Sequence, residues 1–254
     1  MVTIALMADI HGNLEALDAV LGDIRENPCA QIFCAGDLVG YGPRPNEVIE
    51  RVRDAGIQTV MGNYDEAVGF RLPACGCHID SPQQKALSLH SLKWSIDHTS
   101  AENRAWLREL PESICFEADG KTVQLMHASE DSIVEYIYQS DEGRIREILE
   151  RSDCDIYVYG HTHYPYSLQV GGKWIVNPGS VGRPKDLDPR ASYIRLTIDK
   201  GAVSAQIRRV AYDVEKVAGE IAKSGLDAAF AAFLRQGGDP DAKGAPMVCD
   251  LMKR

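Results

Sequence analysis

Short apolar runs alternate with amphipathic stretches along the first sixty residues. Thr3 to Ala8 is mostly apolar and predicts a strand, with Asp9-Ile10-His11-Gly12-Asn13 as the loop behind it. Asn13 can cap a helix whose inward stripe, Leu14, Leu17, Leu21 and Ile24, keeps the three- and four-residue spacing. Gln31 to Ala35 predicts a second strand, followed by the glycine-rich loop from Gly36 to Pro43. A helix is expected from about Pro45 to Ala55, with proline at its start and Gly56 past its end. Ile57 to Met61 predicts a third strand, and Gly62-Asn63-Tyr64-Asp65 a third loop. Such alternation argues for a largely parallel sheet covered by helices. Ligands of such sheets lie at the carboxyl ends of the strands, where these polar loops fall.

From Glu66 to about Leu110 the strand pattern stops. This stretch reads as a helical insertion, with Ser81-Pro82 opening one helix and Glu102 to Leu110 forming another. Ile114 to Ala118 and Thr122 to Met126 predict a hairpin turning at Asp119-Gly120. A helix over about Asp141 to Arg151 and a strand over Ile156 to Tyr159 follow. Short strands near Tyr166–Val170, Trp174–Val176, Tyr193–Ile198 and Val203–Arg208 suit a second, antiparallel region of sheet. An amphipathic helix pair is expected over about 213–236, before a polar tail after Gly237. No repeat or linker interrupts the 254 residues, so one domain with an insertion is expected.

Charge narrows the possible partners. With 27 basic against 37 acidic residues the net charge is −10, which repels a phosphate backbone at long range. Generic nucleic-acid binding, a sequence-specific nuclease and a polybasic membrane anchor are therefore disfavoured. No apolar run approaches the roughly 20 residues of a membrane-spanning helix. The opening MVTIALMADI meets Asp9 and lacks a basic region, so no secretory signal is expected. Seven scattered cysteines suit reduced thiols in a cytoplasmic enzyme.

Five short clusters carry the candidate chemistry: Asp9-x-His11, Gly36-Asp37, Gly62-Asn63, His127 and Gly160-His161-Thr162-His163. Each follows an apolar strand. Carboxylate, imidazole and amide without thiolate suit divalent Mn, Fe, Zn, Co or Ni. Seven donors exceed the need of one ion with an open position and match two ions sharing a carboxylate. Asp-x-His, Gly-Asp, Gly-Asn, His and Gly-His-x-His, in that order, resemble the calcineurin-like metallophosphoesterase family. The similarity runs from about Ile4 to Ser180. Its Asp37–Pro43 and Asn177–Gly182 stretches resemble the small bacterial branch of diadenosine tetraphosphatase-type and phosphodiesterase members. The resemblance implies an α/β/β/α sandwich of two mixed sheets, helices outside, with the small helical insertion beside the metal edge. It also implies that Asp9, His11, Asp37 and His163 hold one metal. Asp37, Asn63, His127 and His161 would hold the second, with Asp37 as bridge. Two such ions can activate a bridging hydroxide and bind phosphoryl oxygens, giving a hydrolase of phosphate esters, either phosphatase or phosphodiesterase. The expected partner is a small phosphorylated substrate such as a nucleotide or phosphodiester. A non-catalytic scaffold with the same fold is the alternative, although scaffolds tend to lose ligands and all seven are present here.

Other residues read more plainly. Cys75-Gly76-Cys77-His78 lacks a second ligand pair at zinc-site spacing and reads as an insertion loop rather than a metal or redox site. His90 and His98 read as surface or satisfied side chains, and Arg44 as either a phosphate contact or a solvated cation. One departure from the family concerns catalysis. Many members carry His after Gly-Asn, where it assists the leaving group; this chain has Tyr64, the candidate catalytic residue, which could donate a hydrogen bond to a phosphoryl or leaving oxygen.

Overall fold

A computed structural model describes residues 1–77 and 81–238. In chain order the elements are β1 (Val2–Met7), α1 (Leu14–Glu26), β2 (Gln31–Cys34), α2 (Pro45–Asp54), β3 (Gln58–Thr59) and α3 (Asn63–Gly69). Next come α4 (Pro82–His98), α5 (Ala101–Leu107), β4 (Ser113–Ala118), β5 (Lys121–Met126), α6 (Glu142–Arg151) and β6 (Ile156–Val158). The chain continues through β7 (Tyr166–Val170), β8 (Lys173–Asn177), β9 (Ala191–Asp199), β10 (Ala202–Val210), α7 (Val214–Ser224) and α8 (Ala228–Gln236). The strands form two five-stranded mixed sheets, ordered β10-β9-β1-β2-β3 and β4-β5-β6-β8-β7.

Alternation within the strands explains the layering. Ile4 and Leu6 of β1 point between the sheets and meet Phe33, Val123, Leu125 and Val158, while Ala5 and Met7 point outward to the helices. The outward face packs on the stripe Ala16, Leu17, Val20, Leu21 and Ile24 of α1, whose Asn13 cap accepts the Ala16 amide at 3.1 Å. On the far side, Tyr157 and Ile175 pack against Ile145, Ile148 and Leu149 of α6. The result is the expected helix–sheet–sheet–helix stack.

Three local expectations differ from the structure. The strands between 166 and 208 do not form one antiparallel region. The β7–β8 pair joins the second sheet, whereas β9 returns to pair with β1 of the first, with Val2 opposite Ile198. The third strand shrinks to Gln58–Thr59 because Met61 turns its amide away to the Pro111 carbonyl, at 2.8 Å. Asn63 and Tyr64, expected in a loop, lie instead in the first turn of α3. Asp65 explains that start, because its carboxylate accepts the Gly62 amide at 3.0 Å and the Asp37 and Leu38 amides at 2.8 and 2.9 Å. No described helix is long and apolar enough to cross a membrane.

The strands β1, β2 and β3 run parallel, as do β5, β6 and β8. Their carboxyl ends therefore gather loops 9–13, 36–43, 62–65, 127 and 160–163 at one edge of the sandwich. Phe33 is fully buried between the sheets and stacks on Phe116 with centroids 4.1 Å apart. Truncating it leaves a cavity the rigid sheets cannot close, so Phe33→Ala is expected to lower stability by about 3–5 kcal/mol. Urea unfolding followed by circular dichroism reads this directly; a loss below about 1 kcal/mol would show that the sheets collapse onto the gap.

Candidate metal centre

Six of the seven candidate side chains fall into two groups with donor atoms within 4.8 Å of one another: Asp9, His11 and His163, and Asp37, His127 and His161. Asn63 joins the second group through Oδ1, 3.0 Å from His127 Nε2. All seven are buried. Asp37 Oδ2 lies 3.7 Å from both His11 Nε2 and His127 Nε2, midway between the groups.

Each carboxylate is held by one oxygen and leaves the other facing imidazoles. Asp9 Oδ2 accepts the His161 amide at 3.0 Å, while Oδ1 has no hydrogen-bond partner and sits 3.4 Å from His163 Nε2. Asp37 Oδ1 accepts the Tyr64 amide at 2.8 Å, which leaves Oδ2 free for the histidines. Three imidazoles are oriented from behind. The Nδ1 atoms of His11, His127 and His163 lie 2.8, 2.7 and 2.5 Å from the carbonyls of Val39, Ala35 and Arg183. A carbonyl only accepts, so each Nδ1 carries the proton and each Nε2 presents a lone pair.

The consequence is a crowd of acceptors. His11 Nε2 and His163 Nε2 face each other at 3.2 Å, lone pair to lone pair. Asn63 donates its amide to the Cys75 carbonyl at 2.9 Å, which turns Oδ1 toward the lone pair of His127. His161 brings Nδ1 to 3.2 Å from His127 Nε2, and its own Nε2 is buried without a hydrogen-bond partner. Burial holds all four histidines below their usual range, His127 at about 4, so none supplies the missing positive charge by protonation at neutral pH. Burial likewise pushes Asp37 up to about 8 and, with the Asp37 charge, raises Asp9. Oxygen and nitrogen donors in this arrangement fit divalent cations: a cation in each group turns facing lone pairs from mutual repulsion into ligation.

The backbone is strained to present these groups. Asp9, His11, Asp37, His161 and His163 all occupy the left-handed region, with φ between 47° and 66°. That conformation costs a non-glycine residue about 1 kcal/mol or more, and here it aims five donors at one point. Gly62 shows how tight the edge is, since a Cβ there would collide with the backbone and side chain of Asp37. The loops are cross-tied: Ser180 Oγ donates to the Asp9 carbonyl at 2.7 Å, and Asn177 Nδ2 donates to the Gly160 carbonyl at 2.8 Å.

Around this centre the structure places the remaining residues named from the sequence. Tyr64 is 1% exposed and its hydroxyl meets Ser88 Oγ of α4 at 3.1 Å. Its contribution is the backbone amide that fixes Asp37 and a ring set edge-on to His11. Arg44 is partly exposed and pairs with Glu220, fastening α7. His90 and His98 are satisfied by the carbonyls of Gly225 and Trp94, at 3.1 and 2.7 Å. The Cys75 and Cys77 thiols lie 3.1 Å apart, and the Cys75 carbonyl and Cys77 Sγ accept from the Asn63 amide; His78 lies outside the described residues. Asp65, Tyr41, Tyr136, Arg183 and Lys185 border the centre and escape the sequence reading, although Gly182-Arg183-Pro184-Lys185 directly follows the singled-out Asn177–Gly182 stretch. Beside His11 opens a cleft whose apolar wall is built by Val217, Ile221, Phe230 and Leu234 of α7 and α8.

Comparison with known proteins gives the class of protein to which this fold and site belong. The sequence profile of the calcineurin-like phosphoesterase superfamily domain matches residues 2–201, and the chain belongs to this family. An uncharacterized protein of Methanocaldococcus jannaschii is 34% identical over 240 residues, covering 88% of this chain and 93% of that one. Phosphodiesterase YfcE of Escherichia coli is 26% identical over 215 residues, covering 81% and 92%. The crystal structure of a metallophosphoesterase from Sphaerobacter thermophilus superposes with a TM-score of 0.75 at 31% identity, covering 93% of this chain and 99% of that chain. These likenesses agree with the small bacterial branch expected from the sequence.

Because the Tyr64 hydroxyl serves Ser88, Tyr64→Phe is expected to lower stability by about 0.5–1.5 kcal/mol. Hydrolysis of aryl and alkyl phosphate esters should stay at the parent rate. A selective loss on alkyl esters, measured side by side, would return the hydroxyl to the leaving group.

Proposed function

We propose that the chain is a two-metal hydrolase of small phosphate esters. In this reading Asp9, His11, Asp37 and His163 surround one ion, and Asp37, Asn63, His127 and His161 the other. The observation that carries it is Asp37 Oδ2, equidistant at 3.7 Å from a histidine of each group while its other oxygen is tied to the Tyr64 amide. That oxygen is the one donor placed to serve both ions. Divalent cations, when bound, supply Lewis acidity toward phosphoryl oxygens and lower the pKa of water to near neutrality. The chain's own part is to hold seven donors rigid, from strand ends, in a dry edge where electrostatic contacts are strong. The donor set accepts Mn, Fe, Zn, Co or Ni, and manganese is the first ion to supply. One domain of 254 residues carries this chemistry, with the insertion over about 66–110 and the helices over about 213–236 as its flanks. A cytoplasmic location is consistent with the six described cysteines, all free.

Hydrolysis of chromogenic phosphomonoesters and phosphodiesters with added Mn²⁺ tests the reading; no turnover with any of the five metals would overturn it. Asp37→Asn is expected to abolish activity and metal loading together, because one carboxylate serves both ions. His127→Ala should bring metal content toward one ion per chain while Asp9, His11 and His163 keep theirs. Elemental analysis reads both variants. Two ions and near-parent turnover in Asp37→Asn would refute the shared carboxylate.

A further inference from the structure

Two cationic side chains border the centre without a direct ion pair among the described residues, although Asp9 and Asp37 act on Lys185 electrostatically. Arg183 and Lys185 follow β8 in the loop that leads to β9, two residues apart around Pro184. Among the described residues neither side chain forms an ion pair or hydrogen bond, although most arginines of this acidic chain do. Both are held instead by aromatic faces. The Arg183 guanidinium lies 3.9 Å above the ring of Tyr41, which is edge-on to His11 with centroids 5.0 Å apart. The Lys185 ammonium lies 5.8 Å from the centre of Tyr136, whose ring is 4.3 Å from that of His161. Each cation thus stands on a tyrosine that stands on a histidine of a different donor group. The backbone anchors the same loop, since His163 donates to the Arg183 carbonyl and Ser180 Oγ accepts the Arg183 amide at 2.8 Å.

Resting on the two-metal reading above, we infer that Arg183 and Lys185 clamp the non-bridging oxygens of the substrate and select a dianionic phosphoryl end, a monoester or terminal phosphate, over a diester. The reasoning is electrostatic. Two cations added to a bimetal site leave positive charge beyond what Asp9 and Asp37 neutralise. In a buried edge that surplus rewards each additional negative charge on the ligand. A phosphomonoester carries about 1.5 to 2 negative charges at neutral pH, whereas a diester carries one. The hydroxyl of Tyr64 is engaged by Ser88, so no side chain from loop 62–65 competes for those oxygens.

The test compares inorganic phosphate with dimethyl phosphate as ligands of the metal-loaded protein, by titration calorimetry. Arg183→Met and Lys185→Met keep the side-chain stems over the tyrosines and remove the charge. Each is expected to weaken phosphate binding by roughly ten- to a hundredfold and dimethyl phosphate by much less. Metal content by elemental analysis should stay unchanged, and Arg183→Lys and Lys185→Arg should recover most of the affinity. The kcat/KM ratio of aryl monoester to aryl diester should fall in parallel. Phosphate affinity within twofold of the parent in both Met variants, equal weakening of the two ligands, or loss of metal would each overturn the inference while ester hydrolysis by the parent still stands. Absence of ester hydrolysis in the parent would instead overturn the two-metal reading, and the calorimetric comparison would still report on the clamp.

Discussion

The organisation of this protein turns on the meeting of acceptor atoms that would repel one another in a dry protein edge. His11 faces His163, and Asn63 faces His127, each pair at about hydrogen-bond distance with no proton between. Much of the surrounding structure serves to hold that arrangement. Carbonyls of Val39, Ala35 and Arg183 fix the imidazole tautomers, and backbone amides of His161 and Tyr64 pin one oxygen of each carboxylate. Five donors accept left-handed backbone to complete it. Cohesion comes from the two buried sheet faces, against which the local strain is small.

The sheets and the centre depend on each other through direction. Parallel strands bring their carboxyl ends to one side, so residues far apart in sequence share an edge. Asp65 links the two levels: the carboxylate that starts α3 also ties down the Asp37 and Leu38 amides, and α3 presents both Asn63 and the Tyr64 amide. Moving that helix start by one residue would take a candidate metal donor and an anchor of the central carboxylate with it.

Much of this was legible in the sequence because it is written locally. Period-two and period-3.6 patterns located β1, α1, α2 and the β4–β5 hairpin, and polar clusters after apolar runs marked the seven candidate donors that the structure brings together. What the pattern could not carry was pairing between distant segments. Nothing in Tyr193–Ile198 distinguishes a partner for β1 from a partner for β7, so the return of β9 to the first sheet is a tertiary fact. Side-chain direction was equally hidden. Tyr64 stands where the family resemblance leads one to expect a histidine, and its hydroxyl turns to Ser88, a residue of the insertion that no short-range signal connects to it. Arg183 and Lys185 carry no local signal, because their aromatic supports, Tyr41 and Tyr136, lie far away along the chain.

The place of β1 has a consequence for how the chain comes together during synthesis. It is the central strand of its sheet, flanked on one side by β2 and on the other by β9, whose Ile198 stands opposite Val2. Until that late segment emerges, the β1–β2–β3 half-sheet shows an apolar face and an unpaired edge, the exposed template on which chains pair wrongly. Loop closure over so long a span makes the final pairing slow relative to the local hairpins. The outer covering of α1 and α2 is available early, so the nascent half-sheet is protected on one face while it waits for the second sheet and for β9.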